Sequence, residues 1–248
     1  MNFSGIDRKS LVGSALRAIL DVVPREAVVP VLQGPLRGAR WVVGSANHGC
    51  WLGSYEYRKQ RLFAKVVSPG DYVIDVGANV GFYTLLAASL AGSHGRVVAI
   101  EPLSQNVDRL LRHVSLNCLD TVTVIHAAVG DHMGTTRFAV NAQSNSMGRI
   151  SPSGVLEVRL VSLDGLSAKG SLGIPDVVKI DVEGAEFEVL QGAERLLTHV
   201  RPMLFLATHG EGVHKQCCEL LRRWDYELSA IDPADDVMST DELLARPR

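Results

Sequence analysis

Four short stretches carry the residue types and spacing that chemistry needs. The loop Asp75-Val76-Gly77-Ala78-Asn79-Val80-Gly81 sets an acid at the end of an apolar run, with two glycines after it. Glu101 ends a second apolar run, Val97 to Ile100, and Pro102 follows it. Asp181-Val182-Glu183-Gly184 closes a third run, Val177 to Ile180, and His209 lies just beyond a fourth, Met203 to Leu206. A carboxylate at a strand end can hold a ribose diol or an ammonium, and a helix N-terminus beyond a glycine turn suits an anion. An imidazole near two carboxylates can move a proton near neutral pH.

These residues need a frame. Tyr72 to Asp75 is short, apolar and rich in β-branched residues, as expected of a strand buried on both faces. The chain must then turn sharply between Gly77 and Gly81 before Phe82 to Ala91, which carries a helix. Strand, glycine loop, helix, strand and acid describe a nucleoside-binding crossover. Asn79 stands where a dinucleotide fingerprint keeps its middle glycine, which disfavours a nicotinamide-dependent oxidoreductase. S-adenosylmethionine, with its ammonium, carboxylate and ribose, fits better. Asp75, Gly77, Ala78, Asn79 and Gly81 are the expected contacts at its methionine end, and Glu101 with Pro102 at its ribose. Small residues around Ala127 leave room for a flat adenine. In an open parallel sheet the cleft lies at the carboxyl ends of the strands, so Gly77 and Glu101 should face Asp181 and His209 across it.

The 248 residues suit one large α/β domain with an N-terminal extension, divided here into residues 1–52 and 53–248. With 25 Lys and Arg against 27 Asp and Glu, there is no electrostatic case for nucleic acid or an anionic membrane as partner. Cys50, Cys118, Cys217 and Cys218 form neither a disulfide framework nor a zinc knuckle, which points to reduced thiols and a cytoplasmic protein. Leu11 to Val23 is interrupted by Gly13, Arg17 and Asp21, so neither a signal peptide nor a membrane span is expected there.

Ser10 to Val23 has the period of an amphipathic helix, and Ala27 to Leu32 with Ala39 to Val43 that of a hairpin. Ser54 is a candidate cap for the next helix, and Trp51, Tyr55, Glu56 and Tyr57 are candidates to cover the cleft, with Tyr55 and Glu56 as substrate contacts. Thr135 to Val140 and Leu156 to Leu160 alternate like antiparallel strands, with Asn141 to Gly154 as a polar loop or lid between them. A closing helix from His214 to Trp224, an edge strand from Tyr226 and a weakly informative polar tail complete the chain.

The stretches DVGANVGFYT, VVAIEP, the region of Asn117, AAVGD and above all KIDVEGAEFEVLQGA resemble the FkbM-type S-adenosylmethionine-dependent methyltransferases, from about Gly53 to Gly210. The resemblance implies a Rossmann-like class I fold with a seven-stranded sheet. It implies transfer of a methyl group to an oxygen, commonly a hydroxyl of a polyketide, a sugar or a related metabolite. By position, Asp75, Gly77, Asn79 and Gly81 would hold the methionine part, Glu101 the ribose and Ala127 the adenine, while Asp181 and Glu183 face the reacting methyl. Family members often keep a Glu two residues before the histidine, where this chain has Ala207.

Such a transfer leaves S-adenosylhomocysteine and asks the protein to align an acceptor oxygen and remove its proton. His209 is the first candidate base and substrate contact, with Asp181 or Glu183 orienting it or acting in its place. A divalent metal is possible but not favoured, because few oxygen donors beyond Asp181, Glu183 and Thr208 stand near. A small-molecule N-methyltransferase and a catalytically silent cofactor-binding module stay open as alternatives. The sequence carries no code for the acceptor or the oligomeric state.

Overall fold

The computed structural model describes residues 20–141, 144–150 and 154–248, with side chains described outside residues 140–153. Most of the amphipathic helix expected over Ser10 to Val23 lies outside these residues. The described chain opens with the expected hairpin, β1 (Val28–Pro30) antiparallel to β2 (Arg40–Val42). Its apolar residues Val31, Leu36, Trp41 and Val43 pack in one cluster with Val73, Phe82 and Leu85, so hairpin and sheet share a core. Asn117 ties the hairpin further, accepting the Arg40 N–H at 2.7 Å and donating to the Arg40 carbonyl at 2.9 Å. Two helices follow, α1 (His48–Leu52) and α2 (Tyr57–Val66). Glu56, with φ +42°, caps α2 in place of the expected Ser54, which is fully buried.

The first crossover forms as the pattern dictates: β3 (Tyr72–Val76), α3 (Phe82–Ala91) and β4 (Arg96–Glu101). All five residues of β3 are buried, because helices cover both faces of a parallel sheet. Next come α4 (Ser104–Leu116) and β5 (Val122–His126). A smaller sheet interrupts the alternation, built from β6 (Ala128–Val129), β7 (Gly134–Asn141), β8 (Ser144–Ile150) and β9 (Leu156–Val161). The antiparallel pair β7 and β9 is as expected. The expected polar loop is instead largely β8, because β7 offers it an open edge.

After α5 (Leu163–Ala168) the second half supplies β10 (Val177–Ile180), α6 (Glu186–Gln191), β11 (Met203–Ala207), α7 (Glu211–Arg223) and β12 (Tyr226–Ala230). The tail is more than a polar end. Glu242–Pro247 forms β13, and Leu243, Leu244 and Ala245 are fully buried. It enters antiparallel between β11 and β12, giving the seven-stranded order β12-β13-β11-β10-β3-β4-β5. A run of three apolar residues between charges is too short to stand out in the sequence, yet it completes the sheet. Among the described residues, no helix is long and apolar enough to cross a membrane.

Candidate functional site

A cavity of about 390 Å³ opens at the carboxyl ends of β3, β4 and β10, where the chain order of the strands reverses. Its wall includes Gly77, Ala78, Asn79, Glu101, Pro102 and Ala127, together with Asp181, Glu183 and Tyr55. Ser45, Ala46, Asn47 and Cys50, from the segment before α2, close another side.

At one end Glu101 accepts three hydrogen bonds: from the Asn79 N–H at 2.9 Å, the Leu103 N–H at 3.1 Å and Asn106 Nδ2 at 2.9 Å. Burial holds its pKa above the ordinary carboxylate value, against the pull of those donors. One bond at Oε2 leaves acceptor capacity there for a ribose hydroxyl. Asn106 also lines the cavity; its place five residues after Glu101 on a helix gave no signal in sequence.

The loop between them owes its shape to crowding. Gly77, at φ +73°, has no room for a Cβ because the carbonyl of Asp181 lies against it. Gly81, at φ +94°, packs on Leu110 and does not border the cavity. Asn79 adopts φ +51°, a conformation that asparagine tolerates better than most residues. These glycines therefore let strands and helices approach, and the cavity forms beside them.

Asp75 departs from expectation. It does not reach the wall: its Oδ2 accepts Thr84 Oγ1 at 2.7 Å, and its Oδ1 lies 3.1 Å from Lys179 Nζ. Lys179 sits on β10 two residues before Asp181, hence on the same face of the strand. Burial works against its charge, but Asp75 and Asp181 hold its pKa above the ordinary lysine value. A lysine inside an apolar strand was the readable signal for this residue.

At the other end stand the acids of the second half. Asp181 Oδ2 is 3.9 Å from both Lys179 Nζ and Lys59 Nζ, while its Oδ1 is 3.9 Å from His209 Nε2. Burial alone would raise its pKa, but Lys179, Lys59 and His209 bring it below the ordinary value. Glu183, at φ +59°, presents Oε2 3.6 Å from the same His209 nitrogen. Burial lifts the Glu183 pKa. His209 Nδ1 lies 2.8 Å from Oε1 of Glu186, a residue with no exposed surface. That bond, outweighing partial burial and aided by Glu183 and Asp181, raises the imidazole to about 9. His209 stands just off the cavity wall, and the carboxylates around it favour its protonated form, so it is less available as a base than an unperturbed histidine.

Behind the wall lies a buried charge network. Lys59 Nζ is 2.8 Å from Glu242 and 3.2 Å from Glu56. Glu56 also accepts the Tyr83 hydroxyl at 2.8 Å, so it backs the site and does not line it. Trp51 donates to His48 and Tyr57 meets Arg61, which leaves Tyr55 as the cover aromatic on the wall. Lys59, Glu186 and Glu242 were hidden in the sequence among ordinary surface-like charges.

Two solved structures share this architecture. The methyltransferase FkbM from Methylobacillus flagellatus KT aligns with a TM-score of 0.52 at 18% identity, over 80% of this chain and 53% of its own. A precorrin-6y C5,15-methyltransferase from Geobacter metallireducens GS-15 aligns with a TM-score of 0.50 at 16% identity, over 78% and 88%. The seven-stranded, mostly parallel sheet with its crossovers is the fold that these two methyltransferases share. Residues 75–228 match the methyltransferase FkbM domain, and the chain belongs to that family. A curated relative, the hexuronic acid methyltransferase AglP of Haloferax volcanii, is 30% identical over 141 residues, 56% of this chain and 57% of that protein. The chain thus spans little more than half the length of these FkbM and AglP relatives.

Proposed function

We propose that this protein transfers the methyl group of S-adenosylmethionine to a hydroxyl oxygen of a sugar. The observation that carries the reading is the two-ended cavity, with Glu101 at one end and Asp181 and Glu183 at the other. Glu101 accepts the ribose hydroxyls, and Ala127 with Pro102 flanks the base. The methionine end passes Gly77, Ala78 and Asn79 toward the acids. The sugar preference rests on the likeness to a hexuronic acid methyltransferase.

The acceptor oxygen uses a lone pair to form the new C–O bond while the S–C bond breaks. Sulfur keeps the bonding pair and becomes the neutral thioether of S-adenosylhomocysteine. The hydroxyl proton goes to a carboxylate, and Glu183 is our choice because it borders the cavity and is partly open to solvent, to which the proton then passes. Asp181, held anionic by two lysines, faces the sulfonium side and favours positive charge there. Tyr55 closes the acceptor side.

The test has two parts. Calorimetry with S-adenosylhomocysteine should show binding that Glu101→Ala weakens about tenfold or more, equivalent to about 1.4 kcal/mol. Incubation with S-adenosylmethionine and a panel of hexoses, hexuronic acids and their glycosides should give a product one methyl heavier. Binding without transfer to any hydroxyl in the panel would refute the sugar O-methylation reading, and absence of binding would refute the cofactor assignment.

A further inference from the structure

Beside the cavity, the side chains of Asp181, Glu183 and His209 each offer one donor atom, and these atoms all lie within 4.8 Å of one another. None makes a good hydrogen bond with another, since Nε2 of His209 is 3.6 Å from Glu183 and 3.9 Å from Asp181. Two ligands about 2.1 Å from a shared ion stand roughly 3.0–3.5 Å apart, so the carboxylates are a little wide of that arrangement. Their orientation is fixed from outside the trio. Glu186 accepts a hydrogen bond from Nδ1 of His209, which turns Nε2 toward the two acids, the relation by which a buried carboxylate aims a metal-binding imidazole. Gly184 N–H also donates to Oε1 of Glu186 at 2.9 Å, placing the backbone immediately after Glu183.

A separate observation calls for more positive charge here. Oε2 of Glu186 is buried and has no hydrogen-bond partner among the described residues. A buried carboxylate oxygen is rarely left unsatisfied, and His209 and Gly184 engage only the other oxygen of Glu186. Among the described residues, the network around it sets Glu56, Asp75, Asp181, Glu183, Glu186 and Glu242 against Lys59, Lys179 and His209. A single sulfonium does not balance that excess. The lysines both approach Oδ2 of Asp181 and leave Oδ1 to the His209 side, so the acid has one edge for ammonium groups and one for another cation.

We infer that Asp181, Glu183 and His209 form a divalent-cation site, with Glu186 as the residue that aims His209. One imidazole with two carboxylates suits an ion of intermediate hardness such as Mn²⁺. The ion borders the cavity wall at Asp181 and Glu183, where an acceptor hydroxyl can join its coordination sphere. Thr208 is not a ligand, because its hydroxyl is engaged by His214 at 2.8 Å. This inference rests on the acids marking the acceptor end, yet its test needs no acceptor.

The test is titration of the protein with Mn²⁺, read by electron paramagnetic resonance of the free ion, alongside calorimetry with S-adenosylhomocysteine. We expect one ion per chain, binding abolished by Asp181→Asn and by His209→Ala, and binding weakened about 10–100-fold by Glu186→Gln. Circular dichroism and a cooperative thermal transition like those of the native chain show that these variants fold. Absence of saturable binding by the native chain up to about millimolar Mn²⁺, or binding undiminished by the ligand substitutions in folded variants, overturns the site. Mn²⁺ binding by a chain that fails to take S-adenosylhomocysteine supports the metal site and overturns the cofactor assignment instead.

Discussion

The backbone of Asp181 lies directly against Gly77, so close that a Cβ on Gly77 would overlap the Asp181 carbonyl oxygen. The Asp181 N–H donates to the carbonyl of Val76 at 3.1 Å, and the two loops are thereby one object. Gly77→Ala meets both an overlap and a left-handed backbone, and should destabilise the protein by more than about 2 kcal/mol. Gly38, at φ +90° with open space around it, is the control: Gly38→Ala should cost only the backbone strain of about 1–2 kcal/mol. Urea denaturation of the two variants measures the difference, and equal losses would mean the loops can part.

Lys179 and Asp75 are both buried and meet at 3.1 Å. Lys179→Met leaves the carboxylate of Asp75 in the core with only Thr84 as partner, and should cost about 3–5 kcal/mol. Replacing both, Lys179→Met with Asp75→Leu, should recover much of that loss, as removing a whole buried pair is milder than breaking it. A double variant no more stable than Lys179→Met would show that the lysine acts through something other than this pair.

His113 joins the hairpin to the cofactor loop. Its Nδ1 donates to the Val80 carbonyl at 2.8 Å, its Nε2 accepts the Val42 N–H at 3.1 Å, and its ring stacks on Trp41 at 4.0 Å. Burial, with Arg109 and Arg112 nearby and the Val80 bond opposing, depresses its pKa to about 4 from 6.5. The unfolded chain therefore takes up this proton first on acidification. The contribution is complete above about pH 6.5 and is lost as pH falls toward 4, by up to roughly 3 kcal/mol. His113→Phe, which can stack but cannot titrate, should begin less stable at pH 7 and lose less across that window. Thermal unfolding of both proteins from pH 7 to 4 gives the comparison; parallel curves would contradict it.

Leu244 is fully buried on β13 between β11 and β12. Leu244→Ala should cost about 2–5 kcal/mol, the ordinary range for a core leucine. A loss below about 1 kcal/mol in chemical denaturation would mean that this strand adds little to the sheet.

The legible parts of the chain were those whose meaning is local. Tyr72–Val76, the glycine loop, the helix after it and Glu101 announce their crossover within thirty or so residues, while helical spacing locates α4 and a short apolar run locates β10. Asp181 and Glu183 were visible as acids at a strand end. What escaped was set by distance along the chain. Lys59 meets Glu242 across 183 residues, and neither differs in type or spacing from a solvated surface charge. Asp75 looks ligand-facing in the sequence because its partner Lys179 lies 104 residues away. Glu186 looked like a helix first-turn acid, and only the fold brings His209 onto it. The hidden strands β8 and β13 share one cause: each takes its conformation from an edge that a neighbour leaves open.

β13 follows β12 in the chain yet lies between it and β11, so the two earlier strands are synthesised with a gap that only residues 242–247 fill. A nascent chain that has reached β12 carries an unpaired edge on β11, the strand leading to His209, and lacks the Asp241 carbonyl that later accepts the Thr208 N–H at 2.8 Å. The acidic end of the cavity therefore cannot be completed until residues 242–247 have been made. Until then β11 is a template for pairing with other chains, a hazard that rests on the prompt arrival of six residues.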